Sequence, residues 1–158
     1  MESNSTRAGQ PGESEGSSRV DQTRCADWRA QYADKIKSAE KAMQLVRRGH
    51  RVFIGSGCGE PQHLVRALEH VAIELADLEV LHLLSLGRTS YTDETFRDKV
   101  RLKSLYVASG SRQAVAEGRA DYTPIYLFDV PDLFHSGHTP VDVALIQVSP
   151  PDEHGYCS

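Results

Sequence analysis

The chain has 158 residues and carries 18 Lys and Arg against 22 Asp and Glu, a net charge of −4. That length suits one domain with a sizeable core. The weak negative charge, and basic residues scattered rather than interleaved with aromatics, point away from nucleic acid and from anionic membrane surfaces as partners. No apolar run approaches the roughly 20 residues that span a bilayer, and the N-terminus has no apolar signal region. Cys25, Cys58 and Cys157 are far apart and match neither a disulfide framework nor a metal-ligand spacing, so no metal is expected and a reducing cytoplasm is the natural compartment.

In chain order, residues 1–24 are rich in Ser, Gly, Glu and Arg with almost nothing apolar. Such a stretch cannot offset its ordering entropy and reads as a disordered tail, leaving 25–158 as the folded domain. A long helix is expected from about Ala26 to Arg48, because Trp28, Tyr32, Ile36, Ala39, Met43 and Val46 recur at spacings of three and four. Val52 to Ile54 reads as a buried strand. A second helix follows from about Pro61 to Leu75, with Leu64, Val65, Leu68, Val71, Ala72 and Leu75 on one face.

Glu79 to Leu84 is a nearly continuous apolar run of the kind buried parallel strands have. His82 inside it reads as a packed, hydrogen-bonded residue. Ser85 to Asp98 is a polar connection holding Gly87, Arg88, Thr89, Ser90 and Tyr91. It follows the carboxyl end of a strand, where open α/β sheets bind ligands, and is a second candidate site loop. Arg101 to Val107 is a third strand and Arg112 to Glu117 a short helix. Pro124 places the next short strand at an edge or a strand end. Asp129 to Phe134 reads as a helix, His135 and His138 as exposed loop residues, and Val141 to Val148 as the last strand. Strands alternating with helices give an α/β class with a mostly parallel sheet flanked by helices.

The strand at 52–54 runs into Gly55-Ser56-Gly57-Cys58-Gly59-Glu60-Pro61. Strand, glycine loop and helix N-terminus together present backbone N–H groups and the positive end of a helix dipole, which suits a phosphate, a carboxylate or a developing oxyanion. The spacing is neither the dinucleotide fingerprint nor the nucleotide P-loop. Pro61 is expected at the first helical position. Cys58 reads as a small packable residue rather than a nucleophile.

Three motifs, in this order, resemble one family: Gly57-Cys58-Gly59-Glu60-Pro61; residues 112–124, Arg-Gln-Ala-Val-Ala-Glu-Gly-Arg-Ala-Asp-Tyr-Thr-Pro; and residues 148–158, Val-Ser-Pro-Pro-Asp-Glu-His-Gly-Tyr-Cys-Ser. They are similar to the N-terminal domain of the acetyl-CoA hydrolase/transferase family, which includes 4-hydroxybutyrate and succinate CoA-transferases. Ala116 stands where that pattern has Asn.

The resemblance implies a Rossmann-like CoA-transferase fold. It also implies movement of CoA between an acyl-CoA and a small carboxylate (acetate, succinate or 4-hydroxybutyrate type) through a glutamyl-CoA thioester. Its nucleophilic glutamate would lie in a C-terminal domain beyond Ser158, so the chain reads as a truncated or split half with no catalytic nucleophile of its own, inactive as an isolated fragment and active only beside that domain.

By the same resemblance CoA is substrate rather than a resident cofactor, and the complete protein would be a homo-oligomer. Gly57 and Gly59 would support the thioester and its oxyanion. Gly55, Gly57, Cys58, Gly59, Glu60 and Pro61 would form the CoA-binding turn. Pro150, Pro151, Asp152, His154 and Gly155 would line the same cleft. Arg112, Glu117, Arg119 and Asp121 read as a structural ion-pair cluster. The alternative is a non-catalytic CoA-binding or assembly module that pairs with a partner domain, and a third reading makes Glu60 or Glu153 a nucleophile.

Overall fold

A computed structural model describes residues 27–86, 90–152 and 154–158. The tail at 1–24, Cys25, the loop residues Gly87, Arg88 and Thr89, and Glu153 lie outside the described residues. The elements run α1 (Asp27–Gln31), α2 (Ala39–Met43), β1 (Arg51–Ile54), α3 (Gln62–Leu75), β2 (Leu78–His82), β3 (Val100–Ser104), α4 (Arg112–Ala116), β4 (Ala120–Tyr122), α5 (Val130–His135) and β5 (Val143–Leu145). The five strands form one sheet in the order β4-β3-β2-β1-β5, and every pairing is parallel.

Side chains alternate across this sheet with period two. Val52 and Ile54 of β1, Val80 of β2 and Leu102 of β3 face one side. There they join Ala39 and Met43 of α2, Val65, Leu68 and Ala72 of α3, and Ala114 of α4 in a single core. Leu64, Val71 and Leu75 pack at its margin, so the whole expected stripe of α3 is used. The other side is more polar. Arg51 and Glu79, directly opposed in the β1–β2 register, pair at 2.6 Å, and Phe53 meets Phe134 of α5 edge-to-face with ring centroids 5.5 Å apart.

The expected long N-terminal helix is two short ones. α1 ends at Gln31, and Ser38 starts α2 from an extended conformation, its hydroxyl accepting the Lys41 N–H at 3.3 Å. A serine cap of this kind holds the backbone out of the helix that the apolar spacing would continue. Ile36, between the two, is 46% exposed and drops out of the stripe. β2, β3 and β5 are also shorter than expected. Each stops where its neighbours do: Ile54, His82 and Ser104 are in register, and Ile54 pairs with Leu145. β4 lies at the sheet edge and Pro124 falls beyond it, as its missing N–H requires. His135 closes α5 instead of lying in a loop.

The ion-pair cluster is divided. Arg119 pairs with Glu117 at 2.5 Å and Glu94 at 3.6 Å, while Asp121 pairs with Arg101 at 3.6 Å. The helix α3 ends at Ala76, whose φ of 52° and ψ of 166° belong to a region in which an L side chain is strained. Replacing Ala76 with glycine should relieve that strain and raise unfolding stability by about 1 kcal/mol, net of the extra chain entropy of glycine. The midpoint of urea denaturation measures it, and an unchanged or lower midpoint refutes the assignment of strain.

Candidate functional site

β1 is bonded to β2 on one side and to β5 on the other, although β2, β3 and β4 follow one another outward. The strand order therefore reverses at β1/β5. In open α/β sheets the crevice beyond the carboxyl ends of the strands at such a point is where ligands bind. Two of the sequence-predicted segments leave the sheet there, the glycine turn from β1 and residues 146–158 from β5.

The two segments meet at Gly55. Its N–H donates to the Leu145 carbonyl at 2.8 Å. A Cβ at this position would sit 2.9 Å from the Gly59 carbonyl oxygen and 3.3 Å from that of Leu145, both backbone atoms that cannot swing aside. Gly57 turns the chain with φ of +60° into a single 3-10 turn, Gly57–Gly59. Pro61 follows as the cap of α3 rather than its first residue, and its carbonyl accepts the Val65 N–H at 3.0 Å.

The amides of the turn divide sharply. Gly57 donates to Leu84 O at 2.9 Å, Gly59 to Ser56 O at 3.1 Å and Glu60 to Gly57 O at 3.3 Å. Among the described residues no acceptor reaches the Cys58 N–H. Gly57 and Gly59, expected to support the thioester and its oxyanion, thus spend their own amides within the structure, and the turn amides that no described acceptor reaches are those of Ser56 and Cys58. The Cys58 thiol is free and exposed.

Glu60 faces inward. It is 4% exposed, Ser85 Oγ donates to both of its carboxylate oxygens at 2.9 Å, and Leu86 N donates to Oε2 at 3.1 Å. Behind it lie Tyr91 and His82. Burial raises the Tyr91 phenol above its ordinary value, the Glu60 carboxylate adds to that, and a hydrogen bond with Ser85 opposes it. His82 shares hydrogen bonds with Tyr91 Oη at 3.4 Å and Ser104 Oγ at 3.1 Å. Burial lowers its pKa to about 4, against a pull upward from Glu60. Ser85, Tyr91 and Ser104 were not singled out as partners by the sequence. Their only signal is position, at or just beyond the carboxyl ends of β2 and β3.

From β5, Pro150 is exposed and Pro151 half-buried. Asp152 builds a turn: its Oδ1 accepts the N–H groups of His154 at 2.8 Å and Tyr156 at 2.9 Å. These bonds, that from Tyr156 first, hold its carboxyl below the ordinary range. Ser149 N donates to Ser158 O at 2.7 Å and closes the segment. Gly155 lies on the Tyr32 side, where an added Cβ would be 3.7 Å from the Tyr32 hydroxyl. Among the described residues no group of three or more His, Cys, Asp or Glu could hold a metal, and no helix is long and apolar enough to cross a membrane.

Residues 17–158 match the acetyl-CoA hydrolase/transferase N-terminal domain. The chain belongs to that family. It is 42% identical over 132 residues to the 4-hydroxybutyrate coenzyme A transferase of Clostridium kluyveri, covering 84% of this chain and 31% of that protein. It is 37% identical to a succinyl-CoA:acetate/propanoyl-CoA:succinate CoA transferase of Fasciola hepatica, over 77% of this chain and 25% of the relative. The chain thus spans a third or less of the curated relatives it matches. Among solved structures it superposes on RipA from Yersinia pestis with a TM-score of 0.73 at 24% identity, over 84% of this chain and 33% of that one. A 4-hydroxybutyrate CoA-transferase from Porphyromonas gingivalis gives 0.57 at 26% identity, over 83% and 29%. The expected α/β CoA-transferase fold and family are therefore those of this chain.

Two predictions follow from the geometry. Gly55→Ala should cost about 2 kcal/mol or more, whereas Gly59→Ala, whose Cβ meets nothing within 4 Å, should stay within about 0.5 kcal/mol of wild type in the same urea titration. His82 is neutral when folded and protonates below its unfolded pKa of 6.5 only in the unfolded chain. Its contribution is complete above that value and is lost as pH falls from 6.5 toward 4. Between pH 7 and pH 5 wild type should lose about 2 kcal/mol that His82→Gln does not. Equal pH slopes for the two proteins exclude this account.

Proposed function

We propose that this chain is the N-terminal part of a CoA-transferase or acyl-CoA hydrolase, and that the cleft between the β1 and β5 exits receives the thioester of an acyl-CoA. One observation carries the reading: the Cys58 N–H, which no acceptor among the described residues reaches, stands in a tight turn beside the switch point, in a chain of this family. The relatives named for 4-hydroxybutyrate and for succinyl-CoA:acetate CoA transfer support a small carboxylate as acceptor.

The chemistry follows from charge. A glutamate carboxylate attacks the thioester carbonyl, the C–S bond breaks, and an acyl–glutamyl anhydride and CoA thiolate result. The thiolate then attacks the glutamyl carbonyl of the anhydride, releasing the acyl group as a carboxylate and leaving a glutamyl-CoA thioester. An acceptor carboxylate reverses the sequence, or water completes hydrolysis. The reading assigns that glutamate to a part of the protein beyond this chain, and the inward turn of the Glu60 carboxylate onto Ser85 and Leu86 supports it.

Each carbonyl attack puts negative charge on oxygen. A fixed amide such as that of Cys58 stabilises it by on the order of 3 kcal/mol. The Pro150–Gly155 segment would wall the cleft from the β5 side, with Asp152 serving it by shaping the turn. The complete protein would carry a C-terminal domain with the nucleophile and would assemble as a homo-oligomer in the cytoplasm.

The test has two parts. Incubation of the chain alone with acetyl-CoA, then borohydride, should leave its intact mass unchanged. A reduced adduct mapped to a glutamate of this chain would make it an enzyme in itself and sink the half-site reading. Fused to the C-terminal part of the Clostridium kluyveri relative, the chain should transfer CoA from acetyl-CoA to a small acid. In that fusion Cys58→Pro, which lacks the N–H, should lower kcat on the order of a hundredfold, while Cys58→Ala, which keeps it, should not. Binding of CoA with no transfer by the fusion would favour the non-catalytic module instead.

A further inference from the structure

The polar groups buried behind the glycine turn form a connected set that the acyl-transfer steps do not use. Glu60 is its charged end, 25 residues from Ser85 in sequence and 2.9 Å from it in space. Its bond from Leu86 N, at 3.1 Å, ties the end of the β1 exit to the β2 exit. Two backbone ties run beside it, Gly57 N to Leu84 O at 2.9 Å and Leu84 N to Ser56 Oγ at 3.4 Å. His82, the last residue of β2, extends the set to Ser104, the last residue of β3.

We infer that Glu60 is a positioning residue: its buried carboxylate clamps the β1 exit loop onto the β2 exit loop and so fixes where the Cys58 N–H points. The inference rests on reading the switch-point cleft as the acyl-CoA site. The chemistry of the partners supports it. A carboxylate offers only acceptors, and both neighbours donate. The Ser85 hydroxyl can turn to suit a different partner, but the Leu86 amide is a fixed donor. Glutamine at 60 can still pair both, its Oε1 accepting the Leu86 amide and its Nε2 donating to the Ser85 oxygen once that hydroxyl turns, whereas methionine keeps the length and offers no comparable acceptor. Aspartate keeps the charge and is one methylene too short. Reach and an acceptor for the Leu86 amide are what these two neighbours require of the position.

Backbone amide exchange read by NMR on the full chain tests this. In Glu60→Met and Glu60→Asp, the Gly57 and Leu86 amides should exchange about tenfold faster than in wild type. The Cys58 amide resonance should move. Gly49 and Glu79, whose amides are bonded at the opposite end of the sheet, should keep both rate and position. Butyryl-CoA affinity, titrated on the same samples, should fall at least about fivefold.

Rates for Gly57 and Leu86 within about twofold of wild type in a folded Glu60→Met chain overturn the inference. Faster exchange at both ends of the sheet overturns it as well, since that is general destabilisation. If Glu60→Met does not fold, Ser85→Ala, which removes one donor, decides by the same criteria. If wild type binds no butyryl-CoA, the reading of the cleft fails while the exchange data still decide the clamp.

Discussion

The bond from Gly55 N–H to the Leu145 carbonyl, in a space with no room for a side chain, is the constraint on which the rest of this structure depends. It is the last rung between β1 and β5. Because β5 joins β1 on the side away from β2, the chain must return across the sheet after β4, and α5 makes that return with Phe134 against Phe53. The loops leaving β1 and β5 then diverge from one close backbone contact. Strand order places the crevice expected of an open α/β sheet at that point, and the Gly55–Leu145 contact beneath it is main chain that no side-chain rotation can alter.

Much of this was legible locally. The glycine-broken strand, the six-residue apolar stripe of α3 and the buried His82 all follow from spacing and composition, because each is decided within about four residues of chain. The motifs at 57–61, 112–124 and 148–158 carried the family. What failed was non-local. Leu83, Leu84, Ile146 and Val148 are as apolar as the strands they follow, yet they lie outside the ladder because their neighbours have already turned away. Periodicity from Trp28 to Val46 has no means of registering that Ser38 caps a new helix.

The site shows the same division. An acid before a helix reads equally as a dipole partner, a ligand or a nucleophile. Only the approach of Ser85 and Leu86 turns Glu60 inward. Glycines likewise announce a tight turn without saying which amides the turn consumes. That the amides of Gly57 and Gly59 are spent, while no described acceptor reaches those of Ser56 and Cys58, depends on the Leu84 and Ser56 carbonyls, and Leu84 comes from the exit of another strand.

The distribution of buried polarity argues for where geometry matters in this domain. Of the buried polar side chains among the described residues, Glu60, His82, Ser85, Ser104 and Ser111 lie at or beyond the carboxyl ends of β1, β2 and β3, and Thr139 alone precedes the amino end of β5. At the amino ends the sheet buries Leu78 and Val100, and leaves its Arg51–Glu79 pair partly in solvent. A buried polar group costs about 1–3 kcal/mol when unpaired, and paired it returns little more than an apolar side chain of the same shape. Stability alone therefore gives no reason to concentrate such groups at one end. Directionality does: hydrogen bonds fix distance and angle where apolar contacts fix only volume. On the proposed reading, a turn that holds an amide against a developing charge, opposite a nucleophile borne by another part of the protein, could not adjust during the reaction. It has to be rigid beforehand, and the set anchored by Glu60 lies directly beneath it.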